Sequence, residues 1–285
     1  MLFASNLKIA LIAAAGFAPL AMTAALPDGN RDIAPVQDQP ALIELVPGTV
    51  RYRVAGDFTR NGKPAEAPLV TIRIARTLAI MKHQVSSADF QRCVMEKVCR
   101  PLPPDIAVAA DRPAVMVSWR DAHAYATWLS RKTGETYRLP TDEEWAYAAG
   151  SRYRDDGLPV DSTDPSKGWL ARYERESNLK SAETDSKPRP LGTFGANENG
   201  LLDVAGNVWE WTNTCFVRTA LDESGKALSS TANCGVRVVE GQHRAYVTDF
   251  IRDARAGGCA AGIPPSNLGF RLVREPKAVM RWFGL

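Results

Sequence analysis

Twelve residues, Gly200-Leu201-Leu202-Asp203-Val204-Ala205-Gly206-Asn207-Val208-Trp209-Glu210-Trp211, constrain this chain more than any other stretch. The Gly206-Asn207 pair tolerates positive φ, so the backbone can reverse sharply and aim carbonyl oxygens inward. Asp203 and Glu210 stand seven residues apart on either side of it. Two readings stay open. One is a tight turn whose Glu210 accepts from backbone N–H groups. The other is a site for a hard cation such as Ca²⁺, served by two carboxylates and convergent carbonyls. Trp209 and Trp211 flank Glu210 and are expected on opposite sides of an extended segment.

Outside this stretch the regular elements are few. Ser118 to Arg131 places Trp119, Ala122, Tyr125, Ala126 and Leu129 at helical spacing, with Ser118 as N-cap and Asp121 three residues on. Thr141 and Glu144 form a capping box ahead of Trp145, Ala148 and Ala149. Ser86 with Asp89 starts a third helix through Phe90, Cys93 and Val94. The 21 Gly and 19 Pro punctuate the remainder, which reads as short strands and irregular chain. A net charge of +3 with no basic stripe or aromatic platform excludes nucleic acid as a partner. Arg73, Arg76 and Lys82 read as an ordinary solvated face.

The amino terminus reads as an export signal. Lys8 precedes an apolar run from Ile9 to Ala21, broken by Gly16 and Pro19, and Thr23-Ala24-Ala25 offers small residues for cleavage. The run is too short for a stable membrane span. Residues 1–25 are therefore expected to be a signal peptide, 26–40 a flexible mature end, and 41–285 one domain in the periplasm. That compartment permits disulfides. Cys93 is expected to pair with Cys99 and Cys215 with Cys234, the second pinning the loop from Phe216 to Asn233. Each bridge should contribute about 2–3 kcal/mol. Cys259 is left over, and two readings stay open for it, a buried single thiol or a reactive one.

Four blocks, in order, resemble the formylglycine-generating enzyme family, also called the sulfatase-modifying factor domain. They are the Gly200–Trp211 stretch, Pro113-Ala114-Val115-Met116-Val117-Ser118-Trp119-Arg120-Asp121-Ala122, the run Tyr137-Arg138-Leu139-Pro140-Thr141-Asp142-Glu143-Glu144-Trp145-Ala146-Tyr147-Ala148-Ala149, and the closing Asn267-Leu268-Gly269-Phe270-Arg271. The resemblance implies an α+β, C-type-lectin-like fold with short twisted strands and two or three helices. It also implies a structural Ca²⁺ held by the side chains of Asp203 and Glu210 and the carbonyls of Gly206 and Val208. A second Ca²⁺ would use Asn178, the carbonyl of Leu179, and Asp185.

The family's oxidases hold copper(I) on two cysteines ahead of the closing block, a soft ion on soft ligands. The matching stretch, Glu240 to Arg255, contains no cysteine. A second branch holds iron on three clustered histidines, whereas His83, His123 and His243 are scattered here. The remaining likeness is to exported pyoverdine-tailoring members, which implies oxidation of a dihydropyoverdine chromophore precursor. Location in the former copper segment makes His243, Glu240 and Asp249 the candidates for proton removal. Arg244, Tyr246, Arg252 and Arg255 are the candidates for holding the acidic, phenolic siderophore precursor, whether small molecule or peptide. The competing reading is a non-catalytic, lectin-like binding module that docks through residues 216–233. Formylglycine formation on a sulfatase is disfavoured by the missing cysteine pair.

Overall fold

Three capped helices set the frame. The computed structural model describes residues 39–103, 109–154, 187–254 and 267–276, which fall within a compact unit running from Asp38 to Leu285. Helix α1 (Ser87–Met95) starts where the Ser86 side chain accepts from the Asp89 N–H. Helix α2 (Trp119–Thr133) has a full capping box between Ser118 and Asp121 and stops at Gly134, whose φ of 71° lies in the left-handed region. Helix α3 (Asp142–Ala149) carries the reciprocal Thr141–Glu144 box. All three starts follow from the local sequence, because each cap satisfies N–H groups that the first helical turn leaves without partners.

The strands are β1 (Leu42–Leu45), β2 (Gly48–Arg53), β3 (Asp57–Arg60), β4 (Lys63–Ala65), β5 (Leu69–Ile74), β6 (Leu78–Met81), β7 (Tyr137–Arg138), β8 (Trp209–Leu221), β9 (Ala227–Glu240), β10 (Ala245–Thr248), β11 (Leu268–Gly269) and β12 (Val273–Arg274). They form a four-stranded sheet in the order β1-β6-β12-β7, a six-stranded sheet along β10-β9-β8-β3-β4 with β11 on β8, and a β2-β5 pair. The closing block links the two larger sheets. Its first strand, β11, lies parallel to β8, and its second, β12, runs antiparallel between β6 and β7. This α+β arrangement of short strands and three helices is the one expected.

Two expectations change. Residues 216–233 are mostly a paired hairpin rather than a loop. Phe216 faces Asn233 and Ala220 faces Ser229, and the turn is made by Asp222 to Lys226. Alternating Val217, Thr219 and Leu221 suit a strand, and Gly225 supplies the positive φ of 85° that the tip requires. Trp209 and Trp211 lie in one core cluster, with Phe90, Tyr125 and Phe270, instead of on opposite sides. Residues two apart on a strand share a face, and Glu210 points the other way.

Both expected disulfides are present. Cys93–Cys99 closes the end of α1 with Cα atoms 5.3 Å apart, and Cys215–Cys234 ties β8 to β9 beside a register shift, at 4.5 Å. No described helix is long and apolar enough to cross a membrane. The proposed signal peptide, the 26–40 segment but for its last two residues, and Cys259 lie outside the described residues.

Asp121 does more than cap α2. Its buried carboxylate also accepts from Arg252 at 2.7 and 2.9 Å and from Arg100 at 3.1 Å, fastening the segments on either side to the helix start. Burial alone would raise this carboxyl. The donors from Arg252, Arg100 and Ser118 outweigh that effect and hold it at about 2. Asp121→Ala should lower unfolding free energy by about 3 kcal/mol, read as a reduced urea midpoint, because it leaves two guanidiniums and a helix N-terminus unmatched.

Candidate functional site

The segment after β9 folds back through Gly241, where an added Cβ would meet the Trp209 ring at 2.6 Å, so no larger residue fits without displacing that ring. The turn places Arg244 over two carboxyls. Its Nε donates to Glu240 Oε1 at 2.7 Å, and its Nη2 lies 2.9 Å from Asp142 Oδ2. The Tyr52 hydroxyl donates to the same Asp142 oxygen, and Arg244 stands 5.1 Å over the Tyr52 ring. Arg244 Nη2 also donates to the Tyr153 hydroxyl at 3.2 Å, and the two tyrosine rings stack with centroids 6.3 Å apart. Strand β2, the start of α3, the residue after the α3 cap turn and the end of β9 thus bring two carboxyls, one guanidinium and two phenols together.

Charge counting fixes the protonation of this cluster. One guanidinium balances one carboxylate, and an unbalanced charge in a buried site is costly. Glu240 and Asp142 are both buried beside this single guanidinium. Burial, then the nearby Asp142 charge, pushes the Glu240 carboxyl well above its ordinary range. Asp142 Oδ1, buried without a hydrogen-bond partner, is the acceptor that a proton on Glu240 would serve. Burial also raises the Tyr52 and Tyr153 hydroxyls, keeping both phenols neutral.

The other candidates from this segment go elsewhere. His243 turns its Nδ1 to the Arg244 carbonyl at 3.0 Å and packs edge-on against Trp209, outside the acid cluster. Tyr246 is buried against Phe216, and its oxygen accepts from the Gly56 N–H at 2.7 Å; burial pushes the hydroxyl up to about 12. Asp249 pairs with Arg120 at 3.0 Å and Arg252 with Asp121, both at the start of α2 beside a cavity of about 400 Å³. The seven candidates therefore do not form one site. Glu240 and Arg244 belong to the cluster; Asp249 and Arg252 belong to the helix start; Arg255 lies outside the described residues. Sequence reasoning missed Tyr52, Asp142 and Tyr153. Asp142 reads there as an ordinary first-turn acid, and no spacing joins it to Tyr52, 90 residues away.

The Gly200–Trp211 turn departs from the calcium expectation. Positive φ falls on Asp203 (58°), Ala205 (56°) and Asn207 (62°). The Asp203 carboxylate turns to the backbone N–H groups of Gly192 and Phe194. Glu210 receives four donors: Arg271 Nε and Nη2 at 2.6 and 2.7 Å, Gln84 Nε2 at 2.8 Å and Trp145 Nε1 at 2.9 Å. Both carboxylates are committed to protein donors, and a guanidinium already neutralises Glu210. The residues named for the first calcium ion do not fit it. Asn178, Leu179 and Asp185 lie outside the described residues.

The buried proton on Glu240 sets a pH dependence. Its folded-state value lies above the ordinary 4.5, so the folded protein holds the extra proton and its contribution to stability is complete below 4.5. That contribution is lost as pH rises through the folded-state value. Glu240→Gln keeps the neutral hydrogen bond without a titrating group. Calorimetry from about pH 5 to about pH 9 should show the wild-type Tm falling more steeply than that of the variant.

Residues 30–276 match the family model for the sulfatase-modifying factor enzyme 1-like domain. The formylglycine-generating enzyme of Streptomyces coelicolor is 31% identical over 181 residues, covering 60% of this chain and 55% of that protein. That of Mycobacterium tuberculosis is 40% identical over 124 residues, covering 39% and 36%. The inactive Cα-formylglycine-generating enzyme 2 of Bos taurus is 32% identical over 167 residues, covering 55% and 53%. The chain thus spans about half the length of these relatives, or less. Among solved structures, PvdO from Pseudomonas aeruginosa superposes with a TM-score of 0.53 at 22% identity, covering 84% of this chain and 96% of that one. The capped helices, the closing block between the two sheets and a family match over most of the chain lead to one conclusion: this protein belongs to the sulfatase-modifying factor, or formylglycine-generating enzyme, family.

Proposed function

We propose that the protein is exported to the periplasm and oxidises the dihydropyoverdine chromophore precursor during siderophore maturation. The observation that carries this reading is the composition of the segment where the family's oxidases hold copper. Here it supplies Glu240 and Arg244 to an acid–guanidinium–phenol cluster and holds no cysteine. The PvdO-like fold and the broken apolar run at the amino terminus support it. Copper-dependent oxidation of a sulfatase cysteine needs the thiolate pair that this segment lacks.

Aromatising the dihydro ring removes two electrons and two protons from the substrate. Dioxygen accepting both would leave as hydrogen peroxide, and a catechol-type ring is readily oxidised in this way. The protein's part is then a pocket and a proton acceptor. Asp142, which already binds Arg244 and Tyr52, is proposed as the proton acceptor. Tyr153 is half-buried and its hydroxyl accepts from Arg244, so in this reading it is the phenol offered to the catechol.

The burial of Glu240, Asp142 and Tyr52 favours a second reading, a non-catalytic binding module with the cluster as its internal brace. A relative named as an inactive Cα-formylglycine-generating enzyme shows that the family includes members without that activity. Deletion of the gene, followed by mass spectrometry and fluorescence of the secreted siderophore, separates the two readings. The oxidation reading expects a non-fluorescent precursor two hydrogens heavier, with the mature form restored by the wild-type gene and not by an Asp142→Asn variant. An unchanged siderophore would leave the binding module.

A further inference from the structure

We infer that the side-chain amide of Gln84 takes the place that the family pattern gives to a structural calcium ion, so that this turn closes without a divalent cation. Gln84 is fully buried, and its Nε2 faces three oxygens: Glu210 Oε1 at 2.8 Å, the Asp203 carbonyl at 3.1 Å and the Gly206 carbonyl at 3.5 Å. These belong to three of the four residues that the pattern names as ligands. An amide nitrogen carries two N–H donors and can bind such a set in the direction a cation would.

Three features keep a dication out. The Asp203 carboxylate contributes nothing, since it is turned to the Gly192 and Phe194 N–H groups. The one carboxylate that remains is already paired with Arg271, whose Nη2 lies 2.7 Å from the oxygen that Gln84 uses. A calcium ion on that oxygen would sit against a buried guanidinium that already balances the Glu210 charge. Third, the orientation of the amide follows from its surroundings: with Oε1 inward, four oxygens would face one another. The arrangement leaves Gln84 Oε1 buried without a partner, a local cost the turn bears.

Calorimetry and elemental analysis of the purified protein test this. The expected result is a Tm unmoved by excess EDTA or millimolar calcium. Retained calcium, or a Tm that falls on chelation, overturns the inference if it persists in Asp185→Ala. Calcium dependence that vanishes in Asp185→Ala belongs to the other ligand set and agrees with it. Gln84→Ala should lower Tm by about 5 °C, since three buried oxygens each lose one of their donors and the side chain leaves a cavity; an unchanged Tm would overturn the role given to the amide. Should that variant not fold, the chelation result on the wild-type chain decides.

Discussion

The buried pair of Glu210 and Arg271 is the constraint on which the rest depends. Glu210 sits at the start of β8, and Arg271 lies between β11 and β12, the two strands by which the closing block enters separate sheets. Arg271 also donates to the carbonyls of Met81, Lys82 and Leu202. One guanidinium therefore gathers the end of β6, the glycine-bounded turn and the last strands. Its partner carboxylate brings in α3 through Trp145. A buried ion pair is a poor source of stability when compared with apolar packing, yet removing either partner leaves a naked charge. Its value here is in specifying which segments meet.

The acid cluster follows a different logic. Glu240, Asp142 and Arg244 would carry an excess negative charge if both carboxyls were ionised, so the fold stores a proton in its place. Buried groups of this kind are frequent at active sites, where displaced proton affinities serve chemistry. They also brace structures, and the cluster's two stacked tyrosines connect β2 to the far end of α3. The same geometry serves both readings of the protein, which is why the chemistry of the secreted product is the discriminating observation.

What was legible in the sequence was local. The starts of α1, α2 and α3 could be read because a cap and its partner lie three residues apart, and the short, irregular strands followed from Gly and Pro usage and the resemblance. The two disulfides were legible from spacing. Failures came where a side chain's partner is remote. Asp203 and Glu210 carry the ligand types of a calcium site, and nothing within the turn reveals that Gly192, Phe194, Gln84 and Arg271 have taken those oxygens. Likewise, the six described candidates in one segment divide among four surroundings, because the chain turns sharply at Gly241 and leaves the sheet after β10. Proximity in sequence overstated proximity in space.

The clasp also dictates the order of events as the chain emerges. Glu210 is synthesised 61 residues before Arg271. Until the guanidinium arrives, the carboxylate has only neutral donors, and enclosing it beside Trp145 would strand a charge. The buried charge is therefore matched only once the closing block is available. A fragment ending before the closing block is missing the piece that locks the two sheets together.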